Sequence, residues 1–483
     1  MRTFLNSVSV AVLALALAGC HMTPEAMKSE ELPKAFTAPE PEGAVETVPS
    51  AEWWKGFSSD EMTSLVEASH GGNLDVAIYA ARVEQARANA GLAWADLFPA
   101  VDAQGAAKRS GAKVVTNGAR SEADTNSFSA GFTASYELDF WGKTREKISA
   151  ARNNARAAIY ARDVEWLTVS SNVADTYLAV LALRERIGIA HRNVEAAKRI
   201  LAITEAKVKN GAESNLELAQ QTATLRSTEA TIPNLEEQER EERYALAILL
   251  GRMPEGFDVK GKSLDGIKAP PVKPGIPAAL LTRRPDIAEA EASLKAAHGN
   301  LNAARLAFLP DISLTGTGGF ASSEFSHLIT PENLAWTAGA TVLQAIFDGG
   351  KLTSSRDYYK AVEVEQIATY RKTVLSAFSD VESTLGSVTT LTERERLIAD
   401  QVKNAQEAFR ISELQYREGV ADLLTVLNTE QTLFTAQDTL AQIRLARLQA
   451  VVGLYRALGG GWSFDAASQE PTRNTFIPGP IPF

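Results

Sequence analysis

The chain has 483 residues, a formal net charge of −10, five scattered histidines and one cysteine. That acidic balance, with no block of Lys and Arg to interrupt it, argues against nucleic acid as a partner. His21, His70, His191, His298 and His327 lack metal-ligand spacing, Cys20 has no intrachain disulfide partner, and no nucleophile or general-base constellation emerges, so neither a metal cofactor nor an enzyme is expected.

The first element is a targeting segment. MRTFLNSVSVAVLALALAGC has a basic start at Arg2, an apolar run from Val8 to Ala18 and small residues before Cys20. Residues 1–19 therefore read as a secretory signal peptide, too short and wrongly flanked for a retained membrane helix. Leu17-Ala18-Gly19-Cys20 resembles the bacterial lipobox, which implies an N-acyl diacylglycerol cysteine with palmitate-type chains at Cys20. Several chains at about 0.8 kcal/mol per buried methylene make a lasting anchor. His21 rather than Asp follows, which by likeness to such lipoproteins favours the outer membrane. Residues 20–58, rich in Pro and Glu, read as an extended arm.

Proline placement organises the rest. None falls between Pro99 and Pro233 or between Pro331 and Pro471, so both intervals can hold long helices. The intervals match at an offset of 208 residues: Ile159, Trp166, Val173, Val180, Ile187, Val194, Leu201 and Val208 recur as Ile367, Val374, Val381, Val388, Glu395, Val402, Phe409 and Tyr416. Companions stand three residues on, many of them small, including Ala190, Ala197, Ala377 and Ala405. This is a heptad seam of coiled-coil type. Each helix begins near a glycine (Gly142, Gly350) and ends at a left-handed terminator (Gly211, Gly419). The first spans Gly142 to Asn210, on the order of 100 Å. A second helix follows each turn, capped by Ser214 with Glu217 or by Asp422. Rods of this length cannot fold into a sphere.

Ahead of each rod lies a strand pair. The first is placed at 99–112 and 126–140, joined by the polar loop AKVVTNGARSEADT, and the second at 311–320 and 334–347. In the first, Phe128, Ala130, Phe132, Ala134, Tyr136, Leu138 and Phe140 alternate with polar or small residues. Nine to eleven tilted residues cross a bilayer. An ordinary hairpin half-buried against helices would show the same alternation. If the apolar face meets lipid, four strands cannot close, and open edges are not tolerated there. Copies of the chain would then share one barrel, in a number that the residues do not give.

The organisation is therefore a repeat at 59–258, an equatorial linker at 259–276, a second repeat at 277–462 and a tail at 463–483. The fold class is mostly α, with long coiled-coil helical hairpins and four strands per chain contributing to a transmembrane β-barrel.

Several stretches resemble the TolC-like outer-membrane factors, in particular the NodT-type efflux lipoproteins: AEWWKGFSSDEMTSLV, YELDFWGK, LLTRRPDIAEAE, FLPDISLTG, IFDGGKL and LYRALGGGW. The resemblance covers nearly the whole mature chain. It implies a homotrimer with a twelve-stranded barrel in the outer membrane and a twelve-helix tunnel in the periplasm. A mixed α/β belt would be built near 251–284 and after Gly459. Asn210, Gly211, Glu418 and Gly419 at the helical tips would meet a periplasmic adaptor and an inner-membrane proton-driven pump. The function implied is the exit duct of a tripartite multidrug efflux pump, passing drugs or other small amphiphiles. Metal or peptide export is the alternative on the same architecture, and a non-pore periplasmic coiled-coil scaffold the alternative of another class.

In related proteins an apolar and an acidic ring close the tip. Matching REGVADLLTVLNTEQ places the apolar position at Leu424 and the acidic one at Asn428, an uncharged departure. Asp422, one turn earlier, either supplies the charge or caps the helix. Arg283, Arg284, Pro285 and Asp286 invite a functional claim, but Pro285 and Asp286 suit a helix's first turn, so the group reads as structural belt contacts.

Overall fold

The computed structural model describes residues 35–39, 50–116, 119–270 and 275–462. The signal peptide, Cys20 and the tail at 463–483 lie outside the described residues. Helices α1 (Asp60–Gly72) and α2 (Leu74–Ala95) lead into strands β1 (Ala100–Thr116) and β2 (Ala119–Leu138). The hairpin α3 (Lys143–Lys209) and α4 (Asn215–Leu249) follows. The second half runs through α5 (Leu280–Arg283), α6 (Pro285–Leu306), β3 (Asp311–Ser322), β4 (Leu334–Leu343), α7 (Lys351–Arg417) and α8 (Leu423–Ala457).

The repeat holds to the residue. α3 and α7 are each 67 residues long, and α4 and α8 are each 35, all displaced by the same 208 positions. Gly142 and Gly350 precede the rods with φ near 88°, and Gly211 and Gly419 end them with φ of 76° and 77°. A side chain is strained in that left-handed region, which is why glycine stands at each end. The seam residues Val173, Val180, Val381 and Tyr416 are fully buried. Glu395, the one polar intruder, makes ion pairs with Arg444 and Arg447 of α8.

The main core is equatorial, where Trp53, Trp54, Phe57, Met62, Tyr177, Leu178, Leu246, Leu385 and Leu454 pack together. The extended arm thus ends earlier than residue 58: Trp53–Phe57 is a 3-10 turn whose three aromatic rings are buried. Further back, the Thr37 and Ala38 amides donate to the Glu382 carboxylate on α7 at 2.6 and 2.8 Å. Residues 251–270 and 275–284 complete this belt with turns and short helices but no strand, so the mixed α/β belt is not seen among the described residues.

Packing is asymmetric between the halves. α3 packs extensively against α2, α4, α6 and α8, whereas the extensive helix packing of α7 is with α6 and α8, and it has no comparable pairing with α2 or α4 among the described residues. Accordingly 27 residues of α3 are buried but only 8 of α7.

Candidate functional site

The four strands form one antiparallel sheet in the order β1-β2-β3-β4, so both outer edges belong to strands without a second neighbour. The first hairpin is longer than its apolar run indicates. The segment read as a polar loop continues the ladder, with Lys113 opposite Glu122 and Gly111 opposite Asp124. Arg109 and Asp124 add an ion pair at 2.8 Å. Only residues 117 and 118 separate the strands, giving lengths of 17 and 20 residues. Seventeen residues reach roughly 55 Å, well beyond a bilayer's hydrocarbon core. Conversely β4 ends at Leu343, because Gln344 turns away to donate to the Phe308 carbonyl at 3.0 Å.

Register puts Ala103, Phe132, Gly318 and Trp336 in one row across the sheet, and Leu138, Ile312 and Val342 in another. These rows share a face, the face that the alternation of β2 defines. Its large side chains are exposed: Phe132 by 65 %, Trp336 by 76 % and Val342 by 66 %. Among the described residues, no strand side chain belongs to the buried core. The reading of a hairpin packed beneath its own helices fails on this point. The opposite face carries Thr133, Ser135, Thr315, Thr317, Thr337 and Thr341, with the Thr317 and Thr337 hydroxyls 2.6 Å apart. One face is therefore oily and bare, the other polar, which is the surface of a barrel wall with a wet lumen. No helix among the described residues is long and apolar enough to cross a membrane.

At the far end of the rods, each turn closes its helix by 5→2 and 6→1 hydrogen bonds. Gly211 N–H donates to Val208 and Ala212 N–H to Lys207, while Gly419 N–H donates to Tyr416 and Val420 N–H to Gln415. Asn210, Gly211, Glu418 and Gly419 are all exposed there. Asp422 is the N-cap of α8, its Oδ1 accepting from the Thr425 amide at 2.8 Å. Hydrogen bonds from Thr425 hold its carboxyl below the ordinary range. Leu424 is 63 % exposed, between buried Leu423 and Val426, and Asn428 is exposed one turn later. Leu424 and Asn428 thus share one outward face of α8, while Asp422 is occupied with capping.

Two features of this tip were not read from the sequence: the bond that seam residue Tyr416 makes to Thr204, and the burial of Glu430. Tyr416 is fully buried, with its hydroxyl 2.9 Å from Thr204 of α3 and the Lys207 ammonium 3.9 Å from its ring centroid. Glu430 is 1 % exposed, and neither carboxylate oxygen has a hydrogen-bond partner among the described residues. Spacing alone marks it: Leu423, Val426, Glu430 and Leu433 step by three and four, so Glu430 occupies a seam position.

At the belt, Arg284 is almost fully buried and each of its three guanidinium nitrogens donates a hydrogen bond. It pairs with Asp286 at 2.7 Å and Asp380 at 3.1 Å and donates to the Ala457 carbonyl at 2.9 Å. This is a brace between α6, α7 and the end of α8, as expected of belt contacts. A cavity of about 330 Å³ beside it is lined by Arg284, Asp380, Thr384 and Arg456. No group of three or more metal-ligating side chains occurs among the described residues.

The outer membrane efflux protein family model matches residues 65–252 and 276–460, one segment per repeat. The chain belongs to that family. It is 37% identical over 468 residues to the pyoverdine export outer membrane protein OpmQ of Pseudomonas aeruginosa, covering 95% of this chain and 98% of that one. It is 30% identical to the toluene efflux pump outer membrane protein TtgC of Pseudomonas putida, covering 94% and 95%. The solved outer-membrane channel OprN superposes with a TM-score of 0.83 at 27% identity, covering 92% of this chain and 100% of that one. As a member of the outer membrane efflux protein family, the chain is an outer-membrane efflux channel with its helical hairpins on the periplasmic side.

Proposed function

We propose that three copies, each anchored by a lipidated Cys20, build one exit duct of a tripartite pump for small organic amphiphiles. The carrying observation is the sheet with two open edges, whose oily face joins no buried core among the described residues. A lipid-facing sheet must close, and the repeat supplies the rule for closing it. Repeat 1 presents α3 to α6 and α8 of repeat 2; applying the same step again presents α7 to α2 and α4 of the next copy. The poorly buried face of α7 and the bare edge of β4 are the surfaces that step would cover. Three copies give the twelve strands and twelve rod segments implied by the family resemblance. Organic cargo is favoured over metal because the pyoverdine export relative is the more similar, 37% identical against 29% for the cation efflux system protein CusC of Escherichia coli. The exposed turns at Asn210, Gly211, Glu418 and Gly419 are the proposed contacts for the adaptor, with an inner-membrane pump supplying the energy.

Deleting the gene and measuring cellular accumulation of a panel of dyes, solvents, siderophores and metal ions tests the assignment. Raised accumulation of organic amphiphiles, with metal ions unchanged, is expected. Unchanged organic accumulation, or a defect confined to metals, would refute it. Detergent-resistant oligomers of the purified lipoprotein, sized by light scattering, test the trimer.

A further inference from the structure

We propose that Glu430 is a proton-operated latch: protonated, it lets the gate-bearing start of α8 pack against α3 and α7; ionised, it drives that segment away. The inference rests on the channel reading above and deepens it by naming a control for the periplasmic mouth.

The geometry sets the problem. Glu430 enters a junction of three helices where the seam residues on either side, Val426 and Leu433, are buried with Ile200 of α3 and Phe409 and Tyr416 of α7. Two charged side chains act on it, Glu413 from α7 and Arg199 from α3. The nearby cations are committed elsewhere: Arg199 lies 3.8 Å and Arg417 3.5 Å from the Glu413 carboxylate. On α8 itself Asp422 caps the helix and Asp438 pairs with Arg186 of α3, so neither competes for the site.

An ionised carboxylate here is desolvated, beside a second carboxylate and without a donor, and such a group neutralises or moves. Burial, then the Glu413 charge, push the Glu430 carboxyl up to about 7, with Arg199 pulling the other way. Asn428 and Leu424 precede it on the same helix by roughly 3 and 9 Å of rise. A displacement of α8 at Glu430 therefore carries both of them.

The test uses the full-length lipidated protein in planar bilayers, with single-channel conductance recorded from about pH 5.5 to about pH 8.5. In parallel, nitroxides at Gln431→Cys and Ala206→Cys, both exposed, report the α8–α3 separation. Wild type should exchange two conductance levels and two separations around pH 7. Glu430→Gln should hold the acid level throughout. Glu413→Gln frees Arg199 and Arg417 for Glu430 and should lower the midpoint by roughly one pH unit or more. A wild-type separation flat with pH, or a Glu430→Gln variant that keeps the wild-type profile, overturns the latch. Absence of any conductance would sink the channel reading instead, and the nitroxide separation would still decide the latch.

Discussion

The Tyr416 hydroxyl donates to the Thr204 hydroxyl at 2.9 Å, joining α7 to α3 in a site where neither residue is exposed. The direction follows from Thr204 spending its own proton on the Ile200 carbonyl at 3.0 Å. The two repeats diverge here. Ser412, which stands where Thr204 does in the first repeat, lies 2.6 Å from Thr429 of α8 instead. Removing the donor and removing the acceptor should therefore have unequal costs. Tyr416→Phe loses one net hydrogen bond, about 1 kcal/mol. Thr204→Val strands the buried phenol and should cost roughly 1–3 kcal/mol. Equal losses in chemical denaturation would show that the pair carries no directional bond.

Leu424 stands out from α8 with little to hold it within its own chain. Its truncation should leave protomer stability within about 0.5 kcal/mol while opening the mouth. Leu424→Ala is expected to raise single-channel conductance, and Asn428→Asp to raise cation selectivity by adding one carboxylate per copy. Conductance unchanged in Leu424→Ala would remove that residue from the gate.

Asp422 separates capping from charge. Asp422→Ser keeps a capping oxygen and should be nearly neutral, while Asp422→Ala should cost about 1 kcal/mol. Because its carboxyl is held below the ordinary value, the ionised cap stabilises above about pH 4, and that contribution fades as the pH falls further. Both variants should keep wild-type ion selectivity, measured by reversal potential in asymmetric salt. A selectivity change in Asp422→Ser would restore Asp422 as the pore charge.

The sheet makes its own demand. Gly131 faces Gly319 across the β2–β3 ladder, and a Cβ at Gly319 would stand 2.4 Å from the Ala130 carbonyl oxygen and 2.5 Å from the Gly131 Cα. Gly319→Ala must pry two strands apart, and overpacking of this kind costs roughly 1–3 kcal/mol. The expected result is loss of heat-modifiable oligomer on unboiled gels. Full retention would mean that the sheet can yield.

Period and punctuation carried most of the fold. A seven-residue repeat over fifty positions has one physical solution, a long packed rod, and glycines with positive φ could end it only where they stand. Strand existence was legible for the same reason, because Phe128 to Phe140 alternate strictly. Strand length was not: beyond the bilayer both faces are wet, so Lys113 and Glu122 pair in a ladder that leaves no apolar pattern. The tip was half legible. Caps are local and could be named, whereas the Thr204–Tyr416 bond depends on how two helices 208 positions apart in sequence are set in axial register. Glu430 was readable by phase, since it lies on the stripe of Leu423 and Val426, but polarity alone assigns such a residue to the surface.

Asp175 offers a pH test at the equator, remote from the gate. It lies on α3 with its Oδ1 buried and without a hydrogen-bond partner among the described residues. Burial pushes its carboxyl up to about 7, against an opposing pull from Arg456. An acid with a raised folded pKa is at full stability below its unfolded value. It loses stability as the pH climbs to the folded value and is flat beyond it. The window is therefore about pH 4 to pH 7, and the loss across it is roughly 2–4 kcal/mol, reduced at the upper end because the residue keeps some solvent access. Asp175→Asn should flatten the profile in that window and raise stability at alkaline pH by a similar amount, read by thermal melts of helical circular dichroism. Its conductance should keep the wild-type pH dependence, which distinguishes an equatorial stability effect from one at the mouth. Parallel melting profiles for wild type and Asp175→Asn would show that water or Arg456 already satisfies the carboxylate.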